Sequence, residues 1–558
     1  MFGDAGARMI VGLFNRLLPF VLRLVFKVLM FTGVYWFFIC LSPFLIAELL
    51  GYHPIPGTFL YFLRECLGLF SFVPMALTTV QNLIRLGGKP SFSFLDILGS
   101  RKEKKGFQSK FDGEEIVLTS RPQGVVFGKI GGKYVSKPET IHNHTLIIGG
   151  TGSGKTSGIV IPTLISWQSS VFAIDIKGEL YEKTRKFRNE AKIKIFNPED
   201  SFAYGYDPYY VLRNTNDISG EARALALSIC PLPADIKEPF WIKSAQNMLT
   251  GFIVYFFVYN LNFSETMKTI KYRPVRETIS QIMLTGMEEH KDNKGNIQLR
   301  IKERLTTEEI VIMEKSIPEI SQFSGMDDRT LSGVFAELSN HITVFATSDD
   351  LQRALSGGEK CLTPYDLVHG YDIYCCIPQH KLDQWKDLLG MMCNQFLKTF
   401  ERRPESSTKP ILFFVDEFPS LGKIDTITTG LATLRSKKIH IALCIQSKSQ
   451  LDVIYGEKIA EVIADNCPYK AILRASEPKT QAWCDKLVGS WNERKYTITD
   501  NHKAFSIERN HGTSNSLHKE RIILPEEFAY LKDVVCLFPD GYSRIEKIKY
   551  WLDKAFMR

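Results

Sequence analysis

The sequence predicts an α/β fold: a nucleotide-binding domain built on a parallel sheet, interrupted by an all-α insertion and preceded by a two-helix membrane anchor. Three observations carry this expectation. A glycine-rich loop follows a short apolar strand at Thr145 to Ile148. Strand-length apolar runs stand on both sides of a long, helix-patterned middle region. Two long, almost uncharged segments lie near the N-terminus.

The loop reads Gly149-Gly150-Thr151-Gly152-Ser153-Gly154-Lys155-Thr156 and fits the phosphate-binding pattern G-x-x-x-x-G-K-[ST]. Glycines let backbone N–H groups turn inward around an anion, because no Cβ stands in the way. The helix that follows points its positive end at the same phosphates. Lys155 then reaches the β- and γ-phosphates, and Thr156 places a hydroxyl on Mg²⁺. All eight residues are nucleotide-binding candidates.

At 558 residues the chain exceeds one core and implies two to four domains. Its apolar fraction of 44% and charged fraction of 23% are those of a folded protein. A net charge of +8 permits contact with nucleic acid or anionic lipid and identifies neither. The 11 cysteines have no paired C-x-x-C spacing, so reduced, buried thiols are expected, with no structural metal and no disulfide framework.

Residues 1–90 read as the anchor, with spans at about 28–50 and 64–84, the second centred on Cys66 to Ile84. Arg8, Arg16, Arg23 and Lys27 precede the first span, and Arg85, Lys89 and Arg101 to Lys105 follow the second. The positive-inside rule then puts both ends in the cytoplasm and a short hairpin tip outside.

Residues 91–215 and 326–558 read as the nucleotide-binding domain, and 216–325 as the helical insertion. Short strands are expected between Glu114 and Tyr134. Ser157 to Trp167 predicts a helix kinked at Pro162. Strands are expected at Val171 to Ile176 and Lys192 to Phe196, then at Tyr371 to Ile377, Ile411 to Val415, Ile439 to Ile445, Lys470 to Leu473 and Val534 to Leu537. Within the insertion, Phe252 to Tyr259 reads as buried helix and Glu288 to Arg304 as a mobile surface loop entering another helix. Ser490 to Arg521 reads as a hairpin or loop. The basic stretches Arg101 to Lys105, Lys183 to Arg188 and Arg435 to Lys438 read as solvated faces or, near the spans, lipid contacts.

Two strand ends offer an acidic residue for magnesium, Asp175 and Asp416. Asp416 is followed at once by Glu417, a pair suited to hydrolysis: Asp416 holds the Mg²⁺ shell and Glu417 polarises the attacking water as general base. Asp175 is followed by Lys177, which tends to neutralise it. The two line the nucleotide pocket or pack near a subunit boundary. Gln446, at the next strand end, is placed to sense the γ-phosphate. Arg435 would stabilise transition-state charge if inserted from a neighbouring subunit; from spacing alone, Arg435 to Lys438 is a solvated basic helix end. His142 and His144 read as structural or solvated residues rather than metal ligands.

Taken together, the phosphate loop, Asp175-Ile176-Lys177-Gly178-Glu179-Leu180, Asp416-Glu417-Phe418-Pro419-Ser420-Leu421-Gly422, Gln446-Ser447 and Tyr455-Gly456 resemble the type IV secretion coupling ATPases, the conjugative coupling proteins. Asp327-Asp328-Arg329-Thr330-Leu331-Ser332-Gly333 and Leu524-Pro525 fit as well. The resemblance implies a RecA-like motor domain, a cytoplasmic all-α insertion and a membrane anchor. It also implies hexamers around a channel, with ATP and Mg²⁺ bound between subunits. It implies that a relaxase on single-stranded DNA, or effector proteins, are handed to the secretion channel at the bacterial inner membrane. It places Arg435 across the subunit interface and Gln446 in a motor motif. The outside hairpin is very short and no long acidic tail is seen, so contacts made elsewhere through such parts are not expected. The rival expectations are an FtsK-type DNA translocase, which would carry a winged-helix reader at its end, and a receptor that uses nucleotide only as an assembly switch.

Overall fold

Thr145–Ile148, called β1, is four buried residues with a parallel neighbour on each side. In this computed structural model residues 116–233, 236–291, 297–406, 409–501 and 510–557 are described. The two apolar N-terminal segments and the basic linker after them lie outside these residues. Among the described residues no helix is long and apolar enough to cross a membrane.

Eight further strands complete the central sheet: β2 Ser170–Asp175, β3 Ile193–Phe196, β4 Asp372–Cys376, β5 Ile411–Val415, β6 Ile439–Ile445, β7 Tyr469–Ile472, β8 Val534–Phe538 and β9 Gly541–Ile545. Their order is β9-β8-β7-β1-β6-β5-β2-β4-β3. The strands from β7 to β3 in that order pair in parallel, and β8 and β9 add an antiparallel edge. Near-continuous apolar runs such as Ile-Leu-Phe-Phe-Val in β5 follow from burial on both faces.

Alternation along each strand divides these residues between two cores. Ile148, Phe172, Phe413 and Leu443 belong to the core shared with the long helix Leu382–Glu401 and the helical section. Phe172 lies 4.6 Å from the ring of Phe413 and 4.7 Å from that of Phe396 on that helix. Ile147, Val171, Phe414 and Cys444 share the opposite core with Trp167 and Phe127. Phe127 comes from a three-stranded antiparallel sheet of Val117–Thr119, Val125–Ile130 and Lys133–Lys137. The backbone of Lys129 is bonded to Glu546 in both directions, which fastens this sheet to the end of the chain.

The expected helix after the phosphate loop takes two forms. Thr156–Val160 is π-helical, and an α-helix follows over Ile161–Ser166 with Pro162 in its first turn. The wide turn absorbs the proline's missing N–H where a continuous α-helix would kink.

The helical section rises from a neck in which Gly205–Tyr206 pairs in parallel with Cys361–Leu362. Its central helix, Phe240–Val258, is buried nearly all round. Gly251 allows this packing: a Cβ there would stand 2.5 Å from Ile320 Cγ1. Helices continue past residue 325, because Asp327 caps Asp328–Thr347 by accepting from Thr330 N at 3.0 Å. The section is also not wholly helical. The stretch expected as a surface loop forms an antiparallel hairpin, Met287–Lys291 with Ile297–Ile301. Ser490–Asn501 and Asn510–Arg521 likewise pair as a long hairpin.

Arg188, expected on a solvated basic face, is instead buried. Its Nε donates to Asp372 Oδ2 at 2.5 Å, and its two terminal nitrogens reach Asp372 Oδ1 and the carbonyls of Leu164, Trp167 and Ser169. Asp372 in turn accepts from Val171 N at 2.9 Å, so one ion pair ties the starts of β2 and β4 together. Arg188→Met, which strands the Asp372 carboxylate, should cost about 3–5 kcal/mol in urea unfolding, and Arg188→Met combined with Asp372→Leu should recover part of that loss.

Candidate nucleotide-binding site

The ends of β1, β6, β5 and β2 lie side by side, since Ile148 pairs with Ile445, Leu443 with Val415 and Val415 with Ile174. The phosphate loop leaves β1 under close constraint. Gly149 N donates to Ile445 O at 3.1 Å and Gly150 N to Arg474 O at 2.8 Å. A Cβ on Gly149 would stand 2.9 Å from the Cβ of Leu473, and Gly152 and Gly154 have φ of +68° and +91°. Ser153 Oγ is buried without a hydrogen-bond partner, and the buried Lys155 ammonium donates to the Gly149 carbonyl. An orphaned hydroxyl and a lysine folded back on its own loop fit a cradle for phosphate.

Asp416 and Glu417 follow β5 at the next strand end but one. Burial, then the Glu417 charge, pushes the Asp416 carboxyl up to about 6, with Lys155 acting in the opposite direction. Glu417 has φ +55° and ψ +49°, a left-handed conformation rare for a residue with a side chain. That backbone turns its carboxylate toward Gln446 at the end of β6. Gln446 Nε2 donates to both carboxylate oxygens, at 2.5 Å for Oε2, and Gln446 Oε1 accepts from Thr151 Oγ1 at 3.2 Å. Phosphate loop, glutamine and glutamate therefore form one connected set.

Asp175 also faces this edge but is 1% exposed. Its carboxylate accepts from Tyr181 N at 2.9 Å and Lys177 N at 3.4 Å. Backbone donors opening the helix Glu179–Thr184, rather than the Lys177 ammonium, satisfy it. Arg435 is not brought to the site within the chain. It is exposed before β6, at the far end of seven residues, about 20 Å from the strand end that carries Gln446. There it adds to the burial and the Lys137 charge that hold His142 and His144 down, to about 4 and about 3. His144 Nδ1 accepts from Ile441 N at 3.0 Å, a buried structural role.

The segment after Glu417 is tied to its surroundings. Phe418 stacks on Tyr455 with centroids 5.4 Å apart, and Ile424 N donates to the Tyr455 hydroxyl at 3.0 Å. Lys423 Nζ then reaches the Leu232 carbonyl, in the helical section, at 3.0 Å. Asn394, on the helix Leu382–Glu401, accepts from Thr426 N and Oγ1 at 3.1 and 2.9 Å and donates to Ser228 Oγ at 3.1 Å. Two cations at the site were missed in the sequence. Arg474 Nη2 donates to Thr151 O at 3.3 Å and Lys547 Nζ to Ser153 O at 3.1 Å. Arg474 follows a strand neighbouring β1, which is a weak signal; Lys547 is 394 residues from Ser153, and no spacing rule links them.

Residues 99–558 match the family described as Type IV secretory system Conjugative DNA transfer. The chain belongs to this family. Among curated members, the protein VirD4 of Rhizobium radiobacter is 24% identical over 475 residues, 79% of this chain and 62% of that protein. The conjugal transfer protein TraG of Escherichia coli is 26% identical over 375 residues, 64% and 56% of the two chains. The chain thus spans less than two thirds of the length of either relative. Among solved structures, TrwBdeltaN70, a bacterial conjugative coupling protein, superposes with a TM-score of 0.58 at 16% identity, covering 76% of this chain and 88% of that one. The plasmid coupling protein TrwB in complex with ADP and Mg²⁺ gives 0.58 at 16% identity, covering 80% and 94%. The shared fold is the α/β phosphate-loop NTPase fold.

A carboxyl raised on folding contributes its stability fully below its unfolded value and loses it as pH rises through the folded one. For Asp416 that loss runs from about 4, the unfolded value, to about 6. Asp416→Asn should therefore stabilise the unliganded chain at pH 7.5 by about 3 kcal/mol in urea unfolding, and the gain should vanish near pH 4.

Proposed function

We propose that the chain is the membrane-anchored coupling ATPase of a type IV secretion or conjugation system. In this reading it recruits relaxase-bound single-stranded DNA, effector proteins or both, and uses ATP hydrolysis to deliver them to the secretion channel. The observation that supports it best is the connected set Thr151, Gln446 and Glu417, with Asp416 alongside: a general-base candidate held by a residue that also senses the phosphate loop. Membership of the conjugative DNA transfer family supplies the biological setting.

Lys155, Thr156 and the loop amides would hold the nucleotide phosphates. Thr156 and Asp416 would hold Mg²⁺, which when bound neutralises phosphate charge. Glu417 takes a proton from water only after Gln446 lets go of its carboxylate, so Gln446 is the natural release. Arg435 acts, in this proposal, from a neighbouring copy in a hexamer, because its own loop is too far away. The segment from Phe418 to Thr426 carries a change at Glu417 to the helical section, which receives the cargo. Both N-terminal apolar segments would cross the inner membrane, leaving residues 91–558 in the cytoplasm.

Lys155→Ala should abolish nucleotide binding and transfer. Glu417→Gln should keep Mg-ATP binding while lowering hydrolysis by about 10²–10⁴-fold. Transfer by Glu417→Gln at wild-type rates would favour the assembly-switch receptor, and undiminished transfer by both variants would overturn the reading. Asp416→Asn should weaken the Mg²⁺ dependence of nucleotide affinity, as read by calorimetry with and without Mg²⁺.

A further inference from the structure

Two cations that the chemistry above does not use donate to carbonyls of the phosphate loop. Arg474, two residues after β7, is bonded twice. Its carbonyl accepts from Gly150 N at 2.8 Å, and its Nη2 donates to Thr151 O at 3.3 Å. Lys547, two residues after β9, spans two carbonyls, Ser153 O at 3.1 Å and Leu531 O at 3.3 Å. Burial first, and then the Arg474 charge, lowers the Lys547 pKa, so the two cations act within range of each other.

Peptide geometry gives these contacts a consequence. In a trans peptide the C=O and the following N–H point in opposite directions. Holding the carbonyls of Thr151 and Ser153 toward the two cations therefore turns the N–H groups of Gly152 and Gly154 away from them. These are the glycines with positive φ, at +68° and +91°. The intervening Ser153 N–H turns back into the loop, to Gly150 O at 3.2 Å. Carbonyls held toward the cations alternate with donors turned away from them, the arrangement of an anion-binding nest.

We propose that Arg474 and Lys547 are positioning residues that pre-set the anion-binding face of the phosphate loop, making nucleotide affinity depend on the last segment of the chain. The inference rests on the reading of Gly149 to Thr156 as a nucleotide site. It adds that the loop's donors are aligned before phosphate arrives, which spares the ordering that binding would otherwise require. Neither cation is proposed to touch the reacting atoms. Their loss should raise KM and the dissociation constant and leave kcat nearly unchanged.

The test uses the full chain and Mg-ADP as probe, by titration calorimetry, with ATP hydrolysis in parallel. Arg474→Met should weaken Mg-ADP by about threefold, in keeping with its exposure, and Lys547→Met by about tenfold. The double variant should lose more than either, with kcat at saturating ATP within about twofold of wild type. Lys547→Arg, which keeps the donor, should restore most of the affinity. Unchanged affinity in the double variant would overturn the proposal, as would a fall in kcat at constant KM. If Lys547→Met lowers the melting temperature, Arg474→Met and Lys547→Arg decide between positioning and general stability. Failure of the wild type to bind Mg-ADP, or binding unaffected by Lys155→Ala, would instead overturn the nucleotide reading.

Discussion

Parallel hydrogen bonding among β1, β6, β5 and β2 is the constraint on which the site depends. Ile148, Ile445, Val415 and Ile174 are held at nearly one level by their pairings. The loop, Gln446, Asp416 and Asp175 all hang from the strand ends just beyond. A slip of one residue in any of these strands would send each side chain to the opposite face. Because the two faces have separate cores, such a slip would exchange residues such as Phe413 and Phe414 between them. Packing on both sides of the sheet thus fixes the register that brings the polar residues together.

Within that frame, Glu417 is held in an unfavourable backbone state. A left-handed backbone on a residue with a Cβ costs on the order of 1 kcal/mol or more. The Phe418–Tyr455 stack and the Ile424–Tyr455 hydrogen bond hold the following turn in place. Strain here places the carboxylate against Gln446, where an extended backbone would aim it elsewhere. Asp416 is loaded differently, by burial beside a second carboxylate. Two adjacent acids are thus perturbed by unrelated means, one in its backbone and one in its ionisation.

Much of this was legible in the chain itself. β1, β5 and β6 run over the residues their apolar runs mark, because a strand buried on both faces has few other ways to read. The loop and the Asp416-Glu417 pair were equally open, being local patterns. What escaped was long-range or depended on context. The hairpin Met287–Lys291 with Ile297–Ile301 is polar enough to pass for a loop. Asp327 reads as part of a motif and serves as a helix cap. Arg188 stands in a basic run, yet the fold buries it against Asp372. Lys177 satisfies Asp175 through its backbone N–H, which composition cannot reveal.

The Asn394 amide belongs to two bodies at once. Its oxygen takes both protons Thr426 can offer, and its nitrogen gives one to Ser228 in the helical section. Among the described residues the chain passes between sheet and helical section through the neck of Gly205–Tyr206 and Cys361–Leu362. Asn394 is one tie beside the neck, and Glu221 of the helical section, paired with Lys398 of the same long helix and with Arg402 at its end, is another. A displacement of the helical section against the sheet would have to break these bonds or carry residues 423–426 with it, and those residues end the segment that begins at Glu417. The segment from Glu417 to Thr426 is thus anchored at its far end to the same amide that holds the helical section.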